Sequence, residues 1–108
     1  MEFTEGNIFS ITDTGSKEEI FNTLFKGNNI KIEQINSSGQ ISPAEGWYDQ
    51  KENEWVLLLE GRAKLEFENK RIILLKKGDY LLIPAHHRHK VIYTSSRPKC
   101  IWLAVFFK

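Results

Sequence analysis

Gly78-Asp79-Tyr80-Leu81-Leu82-Ile83-Pro84-Ala85-His86-His87-Arg88-His89 holds every histidine of the chain, together with the punctuation that sets its architecture. Gly78-Asp79 signals a turn and Tyr80 to Ile83 reads as a short apolar strand. Pro84 has no N–H to give to a ladder and so ends that strand. A further strand begins near Arg88. If it is regular, His89, Val91 and Tyr93 share one face while Arg88, Lys90 and Ile92 share the other. His87 joins His89 only if the strand begins that early. Three imidazoles within four residues place the chain's best metal-binding and neutral-pH titrating side chains at one spot.

Outward from this stretch the hydrophobic period stays at two. Ala63, Leu65 and Phe67 alternate with Lys64, Glu66 and Glu68, Asn69-Lys70 sits where a hairpin turn is needed, and Ile72-Ile73-Leu74-Leu75 returns. Trp55 to Leu59 is a buried strand ended by Gly61, introduced by a polar loop over Trp47 to Asn53. Ile30 and Ile32 oppose Lys31 and Glu33, and Ser37-Ser38-Gly39-Gln40 makes a turn. Downstream, the turn Ser95-Ser96-Arg97-Pro98 leads into a last strand from Cys100 to Phe107. The N-terminal part reads differently. Ile8-Phe9-Ser10-Ile11 is a short strand and Thr12-Asp13-Thr14-Gly15 a turn. Ser16 and Glu19 then form a capping box ahead of Ile20, Phe21, Leu24 and Phe25 at helical spacing, closed by Gly27. The expectation is one short amphipathic helix followed by about eight evenly spaced strands, an antiparallel sandwich or barrel. Residues 1–30 form an N-terminal strand and helix packed on a barrel of residues 30–108, one domain in all.

Bulk composition narrows the function. Apolar residues make up 41% of the 108, with seven Phe, three Trp and three Tyr, which excludes a disordered chain and predicts an aromatic-rich core. A net charge of +1, with the two signs interspersed, points away from nucleic acid and membrane surfaces. The start lacks the basic-then-apolar order of a signal peptide, and the longest apolar run, Ile101 to Phe107, is too short to span a bilayer, so a cytoplasmic protein is expected. Cys100 is the only cysteine, which rules out an internal disulfide.

Glu54, opening an otherwise apolar strand, lies either at an exposed strand end or in the barrel mouth, where burial demands a cation or hydrogen-bond donors. Glu54, six intervening residues and Gly61 match the end of the first cupin motif. Gly78, five residues, Pro84, and His89 five positions on, resemble the frame of the second. Over Gly46 to Phe107 the chain thus resembles the small single-domain cupins. That resemblance implies an all-β, double-stranded antiparallel jelly-roll barrel holding a divalent metal ion, with Glu54 and His89 converging on it. The two first-motif histidines are absent. Their places fall on Trp47 and Asp49, or on Tyr48 and Gln50. His86 stands where the second motif has glycine, and Tyr93 where it ends in asparagine.

Three site arrangements follow. Asp49, Glu54 and His89, with Gln50, would suit manganese, iron(II) or zinc. His87 beside His89 and Glu54 would give a two-histidine, one-carboxylate face. A third arrangement binds no metal and leaves Asp49, Glu54 and His89 as a polar pocket. Glu54 and His89 are the candidate catalytic residues, and Trp47, Tyr48 and Tyr93 the candidate lining of a small-molecule pocket. The functional expectation is a divalent-metal-dependent small-molecule enzyme of isomerase, dioxygenase or hydrolase type, against a non-catalytic binding or sensor module. The second apolar face of the strands at Trp55 to Leu59 and Ile101 to Phe107 predicts a homodimer.

Overall fold

A computed structural model describes residues 2–10 and 18–108. Eight strands run in chain order as β1 (Ile20–Gly27), β2 (Ile30–Ser37), β3 (Asn53–Glu60), β4 (Arg62–Phe67), β5 (Ile72–Lys76), β6 (Tyr80–Ile83), β7 (His89–Thr94) and β8 (Cys100–Phe107). They form a five-stranded sheet, order β1-β2-β8-β3-β6, and a three-stranded sheet, order β5-β4-β7, with every pairing antiparallel. This is the jelly-roll architecture expected. Between the sheets Ile35, Val56, Leu58, Ala63, Leu65, Leu75, Ile83, Trp102 and Ala104 make the core. Those from β3 alternate with Trp55 and Leu57, as a period of two requires.

The expected N-terminal helix is a correction, because Ile20, Phe21, Leu24 and Phe25 lie in β1 and no helix occurs among the described residues. The helix-like spacing has a physical origin. Thr23 pairs with Glu33 but Phe25 pairs with Ile32, so a bulge at Leu24 switches the strand's faces. Phe21 then points between the sheets and Phe25 away from them, although their spacing alone would put both on one face. Asn28-Asn29 is the two-residue turn to β2, with Asn29 at φ 66°. The expected strand at Ile8 to Ile11 is also corrected. Ile8 and Phe9 lie in a turn closed by Ser10 N–H on the Asn7 carbonyl (3.0 Å) and Phe9 N–H on Asn7 Oδ1 (2.8 Å). Ile11, the turn at Thr12 to Gly15 and the Ser16 cap lie outside the described residues.

Gly61 joins β3 to β4 at φ 92°. A Cβ there would sit 2.8 Å from Cys100 Sγ and 2.9 Å from the Lys99 carbonyl, so glycine is required for both backbone and space. The Cys100 thiol is fully buried and donates to the Arg62 carbonyl at 3.2 Å.

On the outer face of the larger sheet, Gln34 and Asn36 are buried. Gln34 accepts from Asn22 (3.0 Å) and Asn36 (2.9 Å) and donates to the Ile8 carbonyl (3.2 Å), which ties the N-terminal segment across that face. Beyond this amide cluster the same face carries Ile30, Ile32, Trp55, Leu57, Leu103, Val105, Phe107, Tyr80 and Leu82, and none of these positions is charged.

Candidate functional site

A cavity of about 330 Å³ opens between the sheets. Its inner wall is apolar, built from Ile35, Val56, Leu65, Ile83, Val91 and Trp102. Two polar side chains reach into that wall. Glu54 on β3 pairs in register with Phe106 on one side and Ile83 on the other, and its side chain is 12% exposed. His89, the first residue of β7, is 6% exposed and is held by a two-way backbone bridge to Tyr48. Its ring packs between Tyr48 and Phe67, with centroids at 5.5 and 5.8 Å.

The protonation of His89 follows from its partners. Nδ1 lies 3.0 Å from the His87 carbonyl, and a carbonyl only accepts, so Nδ1 carries the hydrogen. In the neutral ring Nε2 then keeps its lone pair. Among the described residues Nε2 makes no hydrogen bond, and Glu54 Oε1 lies 3.8 Å from it. Gln50 donates to that same oxygen at 2.9 Å. Burial pushes the Glu54 carboxyl above the usual carboxylate range. The hydrogen bond from Gln50 and the charges of His89 and Lys31 offset only part of this, while Glu33 adds to it. Tyr48 is likewise raised, by burial and by Glu19 and Glu54 against a Ser42 hydrogen bond, so its phenol stays neutral.

A group whose pKa is raised on folding contributes stability below its unfolded pKa and loses it as pH rises through the folded value. Gln at position 54 does not titrate. The Tm of Glu54→Gln minus that of the parent is therefore expected to rise as pH increases from the ordinary carboxylate range upward. A difference that stays flat in melts across that range would contradict the burial of an acid there.

The remaining candidates separate. Gln50 and Tyr48 line the cavity with Glu54 and His89. Asp49 turns outward, 48% exposed, and meets His86 Nδ1 at 3.0 Å. His87 is exposed, with Nδ1 near the Ala85 carbonyl at 3.3 Å. Trp47 lies outside the cavity lining, under Lys90 (4.5 Å) and Arg88 (6.0 Å). Tyr93 faces the opposite side of its sheet, beside Lys64 at 5.6 Å. The reason is a bulge: Lys64 pairs with Tyr93 but Leu65 pairs with Val91, so Ile92 is the extra residue and the strand changes face. The sequence reading missed Glu19, Phe21, Lys31, Glu33, Glu52 and Phe106, which also line the cavity. The alternation of Lys31 and Glu33 with Ile30 and Ile32 was visible, but the polar face is the one turned inward.

A divalent ion does not fit this donor set. Glu54 and His89 are close enough to share one, yet a resident site takes three or four protein donors. Gln50 turns its N–H, not its oxygen, toward Glu54, and Asp49 and His87 face outward. Among the described residues no three Asp, Glu, His or Cys side chains are placed to hold one metal ion together. Nor is any helix among them long and apolar enough to cross a membrane.

Known proteins share this fold. A protein from Ralstonia eutropha with the provisional name mannose-6-phosphate isomerase is 39% identical, covers 97% of this chain and 98% of its own, and superposes with a TM-score of 0.92. A cupin superfamily protein from Desulfitobacterium hafniense (18% identity, 89% and 83% covered, TM-score 0.75) and an RmlC-like cupin from Desulfovibrio desulfuricans (16%, 98% and 97%, 0.77) share the fold. No curated protein matches. Residues 38–106 match the Cupin domain family, which spans most of the barrel and both Glu54 and His89, and the chain belongs to that family.

Proposed function

We propose that this cupin is a small-molecule enzyme of isomerase type that works by proton transfer, without a bound metal. The observation that carries the reading is the pair itself: an acceptor nitrogen on His89 and a carboxyl biased toward its acid form, 3.8 Å apart inside an apolar cavity. Such a pair suits a carbonyl compound. His89 Nε2 takes a proton from the carbon beside the carbonyl, while Glu54, whose Oε1 accepts from Gln50, gives the proton on its other oxygen to the carbonyl oxygen. With a hydroxyaldehyde the product is an enediol; its other hydroxyl, on the carbon that lost the proton, gives its proton to the Glu54 carboxylate, and the imidazolium delivers its proton to the former carbonyl carbon, so the carbonyl moves by one carbon. Neither residue is consumed. The Ralstonia relative's provisional name is also that of an isomerase, which agrees with the class of reaction.

The test is hydrogen–deuterium exchange in heavy water, followed by NMR on a panel of small neutral ketones and hydroxyaldehydes. Exchange above buffer that is lost in His89→Ala supports the reading. Ligand-induced stabilisation with no exchange anywhere in the panel would leave a binding module instead. Stoichiometric manganese, iron or zinc in protein purified without chelator, absent from Glu54→Gln, would overturn the metal-free part.

We also propose that a second copy of the chain covers the apolar patch of β2, β8, β3 and β6 on the outer face of the five-stranded sheet. Tyr80 and Leu82 there are 68% and 52% exposed, and an apolar face spanning four strands is more than monomers usually leave in water. With no charge among those apolar positions, the patch meets its own twofold copy without like-charge repulsion.

A further inference from the structure

We infer that the cavity mouth is a receptor for an organic ammonium group, so that the ligand enters with a cationic head held at the rim and its remaining carbon skeleton against the apolar wall. The inference deepens the function proposed above by naming the ligand's charge class, but it rests on the mouth rather than on catalysis. Three carboxylates other than Glu54 line the cavity: Glu33 and Glu52, and Glu19 at the far end of β2 from Lys31. Glu19 is fixed, since its Oε2 accepts from Ser37 Oγ at 2.5 Å and Ser37 in turn accepts from Trp102 Nε1 at 3.1 Å. Glu33 is largely buried, its side chain 11% exposed. Phe21, Tyr48 and Phe106 bring aromatic rings to the same cavity.

The chain itself shows what this rim holds. Lys31 is the one lysine or arginine among the described lining residues. Its ammonium sits 3.5 Å from Glu33 Oε2 and 4.9 Å from the centre of the Phe106 ring, an ion pair and a cation–π contact together. Lys31 is a tethered occupant on a long, mobile stem, its side chain 40% exposed, and it can swing into solvent when a ligand amine takes its place. A second observation points inward from the rim. His89 Nε2, on a side chain more than nine-tenths buried, faces the cavity with no hydrogen-bond partner among the described residues, which leaves an acceptor for a polar group deeper in the ligand. Anions fare badly here. A phosphate ester carries nearly two negative charges at neutral pH and would meet Glu33 and Glu52 against one lysine already paired. The sugar phosphate in the Ralstonia relative's provisional name is therefore the wrong charge class for this chain.

Calorimetric titration with benzylamine, benzyl alcohol, benzoate and inorganic phosphate separates the cases at nearly constant shape. Benzylamine is expected to bind about tenfold tighter than benzyl alcohol, the sum of one partly buried ion pair and one cation–π contact. Benzoate and phosphate are expected not to bind. In Lys31→Met the benzylamine affinity rises, because the internal competitor is gone. In Glu33→Gln the preference for the amine falls while benzyl alcohol binds as before, which also shows that the cavity is intact. The titration reads binding by the parent protein and the exchange experiment reads proton transfer, so failure of the catalytic reading and of this one are distinguishable. Benzoate or phosphate binding as tightly as benzylamine, with loss of that binding in Lys31→Met, would overturn the inference and make Lys31 an anion receptor. No measurable benzylamine binding would overturn it as well.

Discussion

His89→Ala is expected to slow carbon–hydrogen exchange of the best panel substrate by about 100- to 10,000-fold, the usual worth of a positioned general base, or about 3–5 kcal/mol of barrier. Glu54→Gln removes the proton donor and should lose a comparable factor. The double variant should lose little more, since the two groups act as a unit and either loss disables the pair. The pH profile supplies a readout that a packing role would not move. Exchange needs Glu54 in its acid form, so the rate should fall on a limb above the ordinary carboxylate range, because burial raises that group. In Glu54→Gln the limb should vanish along with most of the rate. His89 also fills space against Tyr48 and Phe67, so His89→Gln serves as the control for folding. An unchanged rate in His89→Gln, with a native melting curve, would sink the base assignment.

Light scattering is expected to give twice the 12.6 kDa of the chain at micromolar concentration. Leu103 and Val105 lie at the middle of the apolar patch on the outer face, paired in register with Leu57 and Trp55. A lysine at Leu103 places a charge where the partner presents only hydrocarbon. Central apolar positions of such interfaces are worth about 2–4 kcal/mol, so Leu103→Lys should weaken association by on the order of 30- to 1,000-fold and yield monomer. The cavity lies on the opposite side of the same sheet, so benzylamine binding should survive in the monomer. A monomer mass for the parent protein would refute the pairing.

The barrel was legible because its signals are spacings. The intervals from Glu54 to Gly61 and from Gly78 through Pro84 to His89 fix where strands start and stop, and the alternation of Ala63, Leu65 and Phe67 fixes a face. The cavity was legible only where the alternation ran unbroken. Tyr48 is locked to His89 by backbone hydrogen bonds, and the Gln50 carbonyl accepts from His86 N–H. That brings Tyr48 and Gln50 inward and turns Asp49 out, a parity that a loop sequence does not reveal. Two bulges did the rest. The extra residue at Ile92 carried Tyr93 to the far face, and the one at Leu24 gave a strand the spacing of a helix. A bulge is one unpaired residue without a compositional mark, yet it inverts every side chain beyond it. Reading β1 as a helix also hid part of the lining, since Glu19 and Phe21 reach the cavity only along a strand edge.

Cys100 gives the barrel a built-in clock. Its sulfur is sealed under Gly61 and bonded to the Arg62 carbonyl, at the corner where β3 turns into β4 and β8 begins. No alkylating reagent can reach it until those strands part. The labelling rate of this single native thiol in plain buffer therefore counts openings of the barrel itself. Slower labelling with a bound amine would measure how much the occupied cavity holds the two sheets together, with no introduced probe.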